Sequence, residues 1–252
     1  MIEKLMPPTD NGALKRLAGR SNPGSWYTSI LEGVQASSGS YRVDSGWFHP
    51  SSMGDPCDAA LAFQFLGAPG TQEISARTQR IFDLGHGRDR DLKRDTAKAG
   101  VSLIKKEEDR AIVIPQLRIR GDLDEWVANP ANGEQAIVDF KTIRPDAFKE
   151  LKEVKHDHYL QVMCYEVGKG VPKGFVLYEN KADCDWRLFP ANFDQKIWQT
   201  EISDRIERIL KGLENDIVYR TPVNCTGCPF NANGVCASND IRTLREKSGL
   251  YE

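Results

Sequence analysis

The chain has 252 residues, with 34 Lys and Arg against 36 Asp and Glu and a formal net charge of -2 at pH 7. This length allows one large domain with a substantial hydrophobic core. The near-neutral charge excludes a protein that holds nucleic acid by bulk positive charge, but it permits a local site built from metal ions and a few basic residues. No apolar run could span a bilayer and the N-terminus lacks a signal-peptide core, so we expect a cytoplasmic protein. In that reducing compartment the six cysteines favour metal binding over disulfides.

The residue pattern along the chain predicts four regions. A peripheral N-terminal segment, with helical patches at Ala13–Leu17 and Trp26–Val34, precedes a helical region in which Gly67 ends an apolar helix. A mixed core and a loop-rich, cysteine-dense tail follow. The four regions comprise residues 1–45, 46–100, 101–214 and 215–252.

The core alternates between segments with the two-residue period of strands and segments with the 3.6-residue period of helices. Strand-like segments VSLIKKE, AIVIPQLRIRGDLDEWVA and EQAIVDFKTI come first, with a turn at NPANG. Helical sequence follows Pro145, and the strands GFVLYENK and DWRLFPA are joined by the turn KADCD. An apolar stripe from Phe193 to Leu213 predicts a last helix. This order predicts an α+β fold, in which helices flank a mixed central sheet, and not a doubly wound sheet.

The strand QAIVDFKTI carries two charges near its centre. Asp139 and Lys141 are two residues apart and therefore share one face, which is either a surface ion pair or part of a site. Asp122, after Gly121 on the preceding strand, is predicted to face Asp139. Asp124 either shares that face or caps its strand. Two close carboxylates repel unless a divalent cation lies between them, and oxygen ligands suit Mg²⁺ or Mn²⁺.

An Asp at a strand end followed by D-x-K on the next strand resembles the P-D-(D/E)-x-K nuclease superfamily. Three further features resemble its RecB-like branch. His86, in LGHGRDRDLK, stands where that branch has a helical metal ligand, and Gln161 and Tyr165, in YLQVMCYE, match its Q-x-x-x-Y motif on one helix face. The strand VLYENK then ends at Lys181. The resemblance spans about residues 46 to 240.

The resemblance implies a restriction-endonuclease-like core and a metal-dependent DNA exonuclease acting on single-stranded ends. Expected settings are recombination, repair or CRISPR-adaptation-like processing, in the host cytoplasm if the protein is viral, with an annealing protein or helicase as a partner. Lys141 would position or deprotonate the water, and Gln161 and Tyr165 would guide the strand. The implied ligands of Mg²⁺ or Mn²⁺ are Asp122, Asp139, the Phe140 carbonyl and His86. The alternative is a nuclease fold that binds nucleic acid without cleaving it.

The other three histidines have no such support from a motif. We therefore predict His49, His156 and His158 to be ordinary surface or loop residues.

The tail contains the cysteine motif C-x2-C-x7-C, formed by Cys225, Cys228 and Cys236, which indicates metal binding. A fourth ligand must come from upstream. Cys164 lies in an apolar helix and Cys184 between two aspartates, whereas Cys57 begins a helix, where the dipole favours a thiolate. We therefore choose Cys57.

Spacing alone does not separate zinc from a 4Fe-4S cluster. The resemblance favours the cluster, because AddB-like and CRISPR adaptation nucleases carry one cysteine before the nuclease core and three after it. Such a cluster would join the N-terminal helix to the tail. The sequence Cys57-Asp-Ala departs from the C-x-R pattern common in those proteins.

Overall fold

A computed structural model of the chain describes residues 25–37, 45–68, 70, 75–221, 223–226, 228–232, 234–238 and 241–248. The chain forms two compact units, one of Met1–Tyr41 with Glu73–Leu84 and one of Arg42–Gln72 with Gly85–Glu252. The predicted helical patch Ala13–Leu17 lies outside the described residues. Helix α1 (Ser25–Ser37) contains the second predicted patch.

The described strands form two sheets in the second unit. Strands β1 (Ala111–Ile114) and β2 (Ile119–Asp122) make an antiparallel hairpin. The larger sheet has four strands in the order β3-β4-β5-β6, in which β4 and β5 are parallel and the outer pairs antiparallel. These four strands are β3 (Glu125–Ala128), β4 (Gln135–Ile143), β5 (Gly174–Asn180) and β6 (Trp186–Pro190). The mixed central sheet predicted from the sequence is therefore confirmed.

Two helices form the crossover that the parallel pair requires. They are α4 (Pro145–Glu150) and α5 (His156–Lys169), and α5 ends at Gly170, whose φ of 67° suits glycine. Helix α5 is buried on more than one side, because every residue from 160 to 166 is buried and Val162 and Met163 are fully so. This packing fixes the register of the helix that carries Gln161 and Tyr165.

None of the described helices is long and apolar enough to cross a bilayer. Seven further helices are described. They are α2 (Asp58–Phe65), α3 (Ala76–Lys98), α6 (Gln195–Ile197), α7 (Asp204–Glu214), α8 (Pro229–Ala232), α9 (Val235–Ser238) and α10 (Ile241–Ser248). A π-helical turn, Trp198–Ser203, joins α6 to α7.

The structure differs from the prediction upstream of β3. The predicted strand VSLIKKE is absent from the described core, where Ser102 makes an isolated bridge with Val127 and Glu107–Arg110 is a 3-10 turn. The segment AIVIPQLRIRGDLDEWVA forms β1, β2 and β3, and a second 3-10 turn at Pro115–Leu117 separates β1 from β2. Proline has no amide hydrogen to donate to a ladder, which accounts for the break.

Glu166 on α5 is a buried carboxyl outside the charged strand. It is 1% exposed, and neither carboxyl oxygen has a hydrogen-bond partner among the described residues. Burial raises the pKa of Glu166 to about 8. The folded state thus holds a proton that the unfolded state has already lost, so its stability falls as the pH rises from about 4.5 to about 8.

We expect Glu166→Gln to remove this pH dependence. Relative to the wild type, the variant should gain about 1 to 3 kcal/mol in unfolding free energy between pH 5 and pH 8. Urea unfolding at four pH values measures the difference. Glu150→Gln, at an exposed position on α4, is the matched control and should follow the wild-type curve; a parallel shift of both variants would contradict the prediction.

Candidate active site

Asp124 is the carboxylate that lies opposite Asp139. Glu125 pairs with Val138 in the β3–β4 register, so the next step of the register places residue 124 across from residue 139. The Phe140 N–H donates a hydrogen bond of 2.8 Å to Asp124 Oδ2. The backbone of β4 therefore holds the Asp124 carboxylate beside the charged face of that strand.

Asp122 occupies a different place, and the prediction that it faces Asp139 is wrong. It ends β2 in the hairpin, opposite Ala111, and its side chain is exposed. The physical reason is the buried Leu123, which is 0% exposed and marks the point where the chain passes from the hairpin to the larger sheet. Residue 122 therefore ends a strand of the hairpin, whereas residue 124 directly precedes the first strand of the larger sheet.

The Asp139 side chain is an unusual buried charge. It is 0% exposed, and its Oδ1 atom has no hydrogen-bond partner among the described residues. Lys141 Nζ lies 2.7 Å from Asp139 Oδ2. Burial raises the pKa of Asp139 to about 7, the Lys141 ammonium opposes this rise and the Asp124 charge adds to it. The carboxylate form thus needs more positive charge than Lys141 supplies.

Helix α3 brings two charged residues to this site that the sequence reasoning missed. Lys93 Nζ lies 2.7 Å from Asp89 Oδ2 and 3.4 Å from Asp124 Oδ1. Burial, followed by the Asp124 charge, raises the pKa of Asp89. A helical periodicity was the available signal, because Asp89 follows His86 by three residues and precedes Lys93 by four. His86 itself is exposed.

Gln161 and Tyr165 lie in the same site, on the buried face of α5. The Gln161 side-chain amide donates a hydrogen bond of 2.8 Å to the Tyr165 hydroxyl, and both residues are less than a tenth exposed. Burial, then the charge of Asp139, raises the pKa of Tyr165 well above its usual range. The Q-x-x-x-Y pair therefore presents a neutral phenol beside the carboxylates.

His158, predicted to be an ordinary surface or loop residue, belongs to the site. Its Nδ1 atom lies 2.8 Å from the hydroxyl oxygen of Tyr178, which is the register partner of Lys141 on β5. Burial lowers the pKa of His158 to about 4, and the positive charge of Lys141 contributes to this. The imidazole is therefore neutral near physiological pH.

The other two histidines have partners of their own. His156 is exposed and lies 2.6 Å from Glu201, and His49 is half-buried.

The donor set of this site fits a hard divalent cation. Within the described residues no three His, Cys, Asp or Glu side chains already form a group with metal-ligand geometry. The carboxylate of Asp139, whose Oδ1 atom has no hydrogen-bond partner among the described residues, and the facing carboxylate of Asp124 are nevertheless ligands of the type that Mg²⁺ and Mn²⁺ bind. A cation there would relieve the repulsion between the two carboxylates.

The tail packs against the helix that begins at Cys57. The Phe63 and Phe230 rings are 5.4 Å apart, and the Asp58 N–H donates a hydrogen bond of 3.4 Å to the Thr221 hydroxyl. Cys57, Cys228 and Cys236 are half-buried against the same apolar core, and Cys225 is exposed. All four thiols are free, as are the buried Cys164 and the exposed Cys184.

A buried ion-pair cluster fixes the start of α2. The Asp58 carboxylate accepts hydrogen bonds from Arg205 Nε at 2.7 Å and from Arg208 Nη2 at 2.6 Å. Arg205 also donates to the Met53 carbonyl at 3.0 Å. These contacts anchor the residue after Cys57 to α7, so the position of Cys57 is set by both α2 and α7.

No protein-family model and no curated protein matches this chain. Solved structures are similar to it at low identity, among them the following three. A structure described as SSO0001 is 16% identical, with 82% of this chain and 94% of that chain covered and a TM-score of 0.45. An alkaline exonuclease (LHK-Exo) from Laribacter hongkongensis is 15% identical over 75% of this chain and 93% of that chain, with a TM-score of 0.48. LHK-Exo in complex with dAMP is 13% identical over 68% and 89%, with a TM-score of 0.44.

Proposed function

We propose that the protein is a metal-dependent nuclease that hydrolyses phosphodiester bonds in DNA. One observation carries the proposal: the fully buried Asp139 faces Asp124, its Oδ2 atom lies 2.7 Å from the Lys141 ammonium, and its Oδ1 atom has no hydrogen-bond partner among the described residues. A structural ion pair requires one carboxylate and one ammonium. The second carboxylate, on the half-buried Asp124, adds a negative charge beside Asp139 that a bound cation would offset.

Asp124, Asp139 and the Phe140 carbonyl would hold Mg²⁺ or Mn²⁺, and Asp89 and His86 on α3 are further donors. When bound, the ion would lower the pKa of a water and stabilise negative charge on the phosphate oxygens. Asp122, exposed on the hairpin, is not part of this ligand set.

The chain's own residues would then orient the reactants. The Lys141 ammonium would position the attacking water or neutralise a phosphate oxygen, because a donor held in place requires no reorganisation during the reaction. The buried hydrogen bond from Gln161 orients the Tyr165 hydroxyl, which would contact the strand at the cleavage site. In-line attack at phosphorus would leave a 5′-phosphate and a 3′-hydroxyl.

The resemblance to RecB-like nucleases supports the finer parts of the proposal. It favours an exonuclease that acts on single-stranded DNA ends in recombination, repair or CRISPR-adaptation-like processing, with an annealing protein or a helicase as a partner. It also favours a 4Fe-4S cluster bound by Cys57, Cys225, Cys228 and Cys236. The contacts between the tail and α2 support the cluster, because they bring the two cysteine-bearing segments onto one core.

The test is digestion of end-labelled linear and circular DNA, single- and double-stranded, with Mg²⁺ or Mn²⁺. We expect linear single strands to be degraded, circles to resist and a chelator to stop the reaction. Lys141→Ala should lower the rate by about 10² to 10³-fold, the cost of removing one charge-stabilising group. Lys196→Ala, at an exposed position on α6, is the control and should match the wild type. A folded wild type that binds DNA without cleaving it would contradict the proposal and favour a binding protein.

A further inference from the structure

The Tyr178 hydroxyl, on the strand next to Lys141, contacts one ring nitrogen of His158. The other ring nitrogen of His158 is not engaged by this hydroxyl. The Lys155 N–H, just before α5, donates a hydrogen bond of 3.0 Å to the Tyr178 hydroxyl oxygen. That oxygen also lies 2.8 Å from His158 Nδ1. Tyr178 is fully buried, so its hydroxyl must find its partners within the protein.

Accounting for the hydroxyl proton determines the tautomer of His158. Because the Tyr178 oxygen already accepts from Lys155, its own proton needs an acceptor, and His158 Nδ1 is within hydrogen-bond distance. If Nδ1 carried a proton, that oxygen would accept two hydrogen bonds and its buried proton would lose this acceptor, which is costly. The neutral ring therefore accepts at Nδ1 and carries its proton on Nε2.

The Nε2 side of the ring is available to a ligand. It lies 3.7 Å from Asp157 Oδ2, which is beyond hydrogen-bond distance, and the His158 side chain is 18% exposed. His158 precedes Gln161 by three residues on α5, so the two side chains lie on the same helix face. Tyr178 is the register partner of Lys141, which places the donor on the Lys141 side of the site.

We propose that His158 is a substrate-contacting residue, whose Nε2–H donates a hydrogen bond to a non-bridging phosphate oxygen of the strand held beside Lys141. Tyr178 is the positioning residue that fixes the tautomer. A neutral donor holds a phosphate without adding a second cation beside the Lys141 ammonium. The inference rests on the proposed nuclease function and extends it to one more contact with the substrate.

Two amide replacements of His158 separate this role from a structural one. The amide nitrogen of Gln reaches the position of Nε2, whereas that of Asn reaches the position of Nδ1. We expect His158→Ala to lower kcat/KM by about 10- to 100-fold, as for a lost hydrogen bond to a charged group. His158→Gln should recover most of this loss, and His158→Asn should not. The reverse order would overturn the proposal, because it would mean that the contact with Tyr178 is what matters.

The tautomer has a readout that does not depend on activity. Long-range ¹H–¹⁵N spectra of the ¹⁵N-histidine-labelled protein should show His158 protonated at Nε2 alone, with the signal assigned by its loss in His158→Gln. Tyr178→Phe should give a mixture of His158 tautomers. As a single substitution it should lower kcat/KM, but added to His158→Ala it should cause no further loss. A proton on Nδ1 in the wild type would overturn the proposal.

Failure of the inference and failure of the proposed function give different results. If digestion requires Lys141 but is unchanged in His158→Ala, the function stands and the contact with the phosphate does not exist. If the wild type degrades no DNA with Mn²⁺, the proposed function fails and this contact fails with it.

Discussion

Asp124→Asn should strongly slow the digestion of DNA, and Asp122→Asn should leave it nearly unchanged. The Asn side chain keeps an oxygen that can accept from the Phe140 N–H, so the strand pairing survives while the charge is lost. We expect a fall of about 10² to 10³-fold in rate for Asp124→Asn. Asp122 is exposed on the hairpin, and its substitution should change the rate by no more than about twofold, since surface substitutions usually cost under about 0.5 kcal/mol.

Binding of the metal ion can be measured without the reaction. A cation that binds the folded state raises the melting temperature as its concentration rises. We expect Mn²⁺ to stabilise the wild type and Asp122→Asn but not Asp124→Asn. Asp146→Asn, 65% exposed on α4, is a second control. If Asp122→Asn alone lost both activity and stabilisation by Mn²⁺, Asp122 would be the metal ligand, as the sequence predicts. That result would contradict the geometry of the site.

The two carboxylates illustrate which parts of this site are readable from a sequence. The D-x-K strand and the Q-x-x-x-Y helix follow from local periodicity, because residues two apart on a strand and four apart on a helix share a face. Both patterns place their residues together in the structure. The choice between Asp122 and Asp124 depends instead on where the chain leaves one sheet for another, and a buried Leu123 between them gives no local sign of that break.

His158 and Asp89 were missed for a related reason. His158 has no distinctive local pattern, and the helical spacing of Asp89 from His86 and Lys93 does not show which strand that helix face meets. Each residue acquires its role from a partner far away in sequence, Tyr178 for His158 and Asp124 for Asp89. The register between β4 and β5, which brings Tyr178 beside Lys141, is set by long-range strand pairing. Spacing alone predicts the faces of single elements, but it does not predict which elements meet.

Cys57→Ser should remove the iron-sulfur cluster that we propose, and Cys184→Ser should leave it intact. After anaerobic purification the wild type should be brown and contain about four iron and four sulfide per chain, as a single 4Fe-4S cluster requires. Cys57 lies half-buried at the start of α2, beside the tail, whereas Cys184 is an exposed residue in the β5–β6 turn with a left-handed φ of 62°. Cys184 therefore controls for the loss of a thiol as such.

The same substitution should also loosen the tail. A cross-link between residue 57 and the tail closes a loop of most of the chain, and cross-links around long loops typically stabilise by about 3 to 5 kcal/mol. Without it, only non-covalent contacts would hold the tail, such as the Phe63–Phe230 contact, the hydrogen bond to Thr221 and the hydrogen bond of 3.0 Å from Arg245 to the Leu213 carbonyl. We expect limited proteolysis of Cys57→Ser to cut near residue 220 while the wild type and Cys184→Ser resist. A colourless wild type containing zinc would contradict the cluster, and a protected tail in Cys57→Ser would show that the apolar contacts hold the tail without any metal.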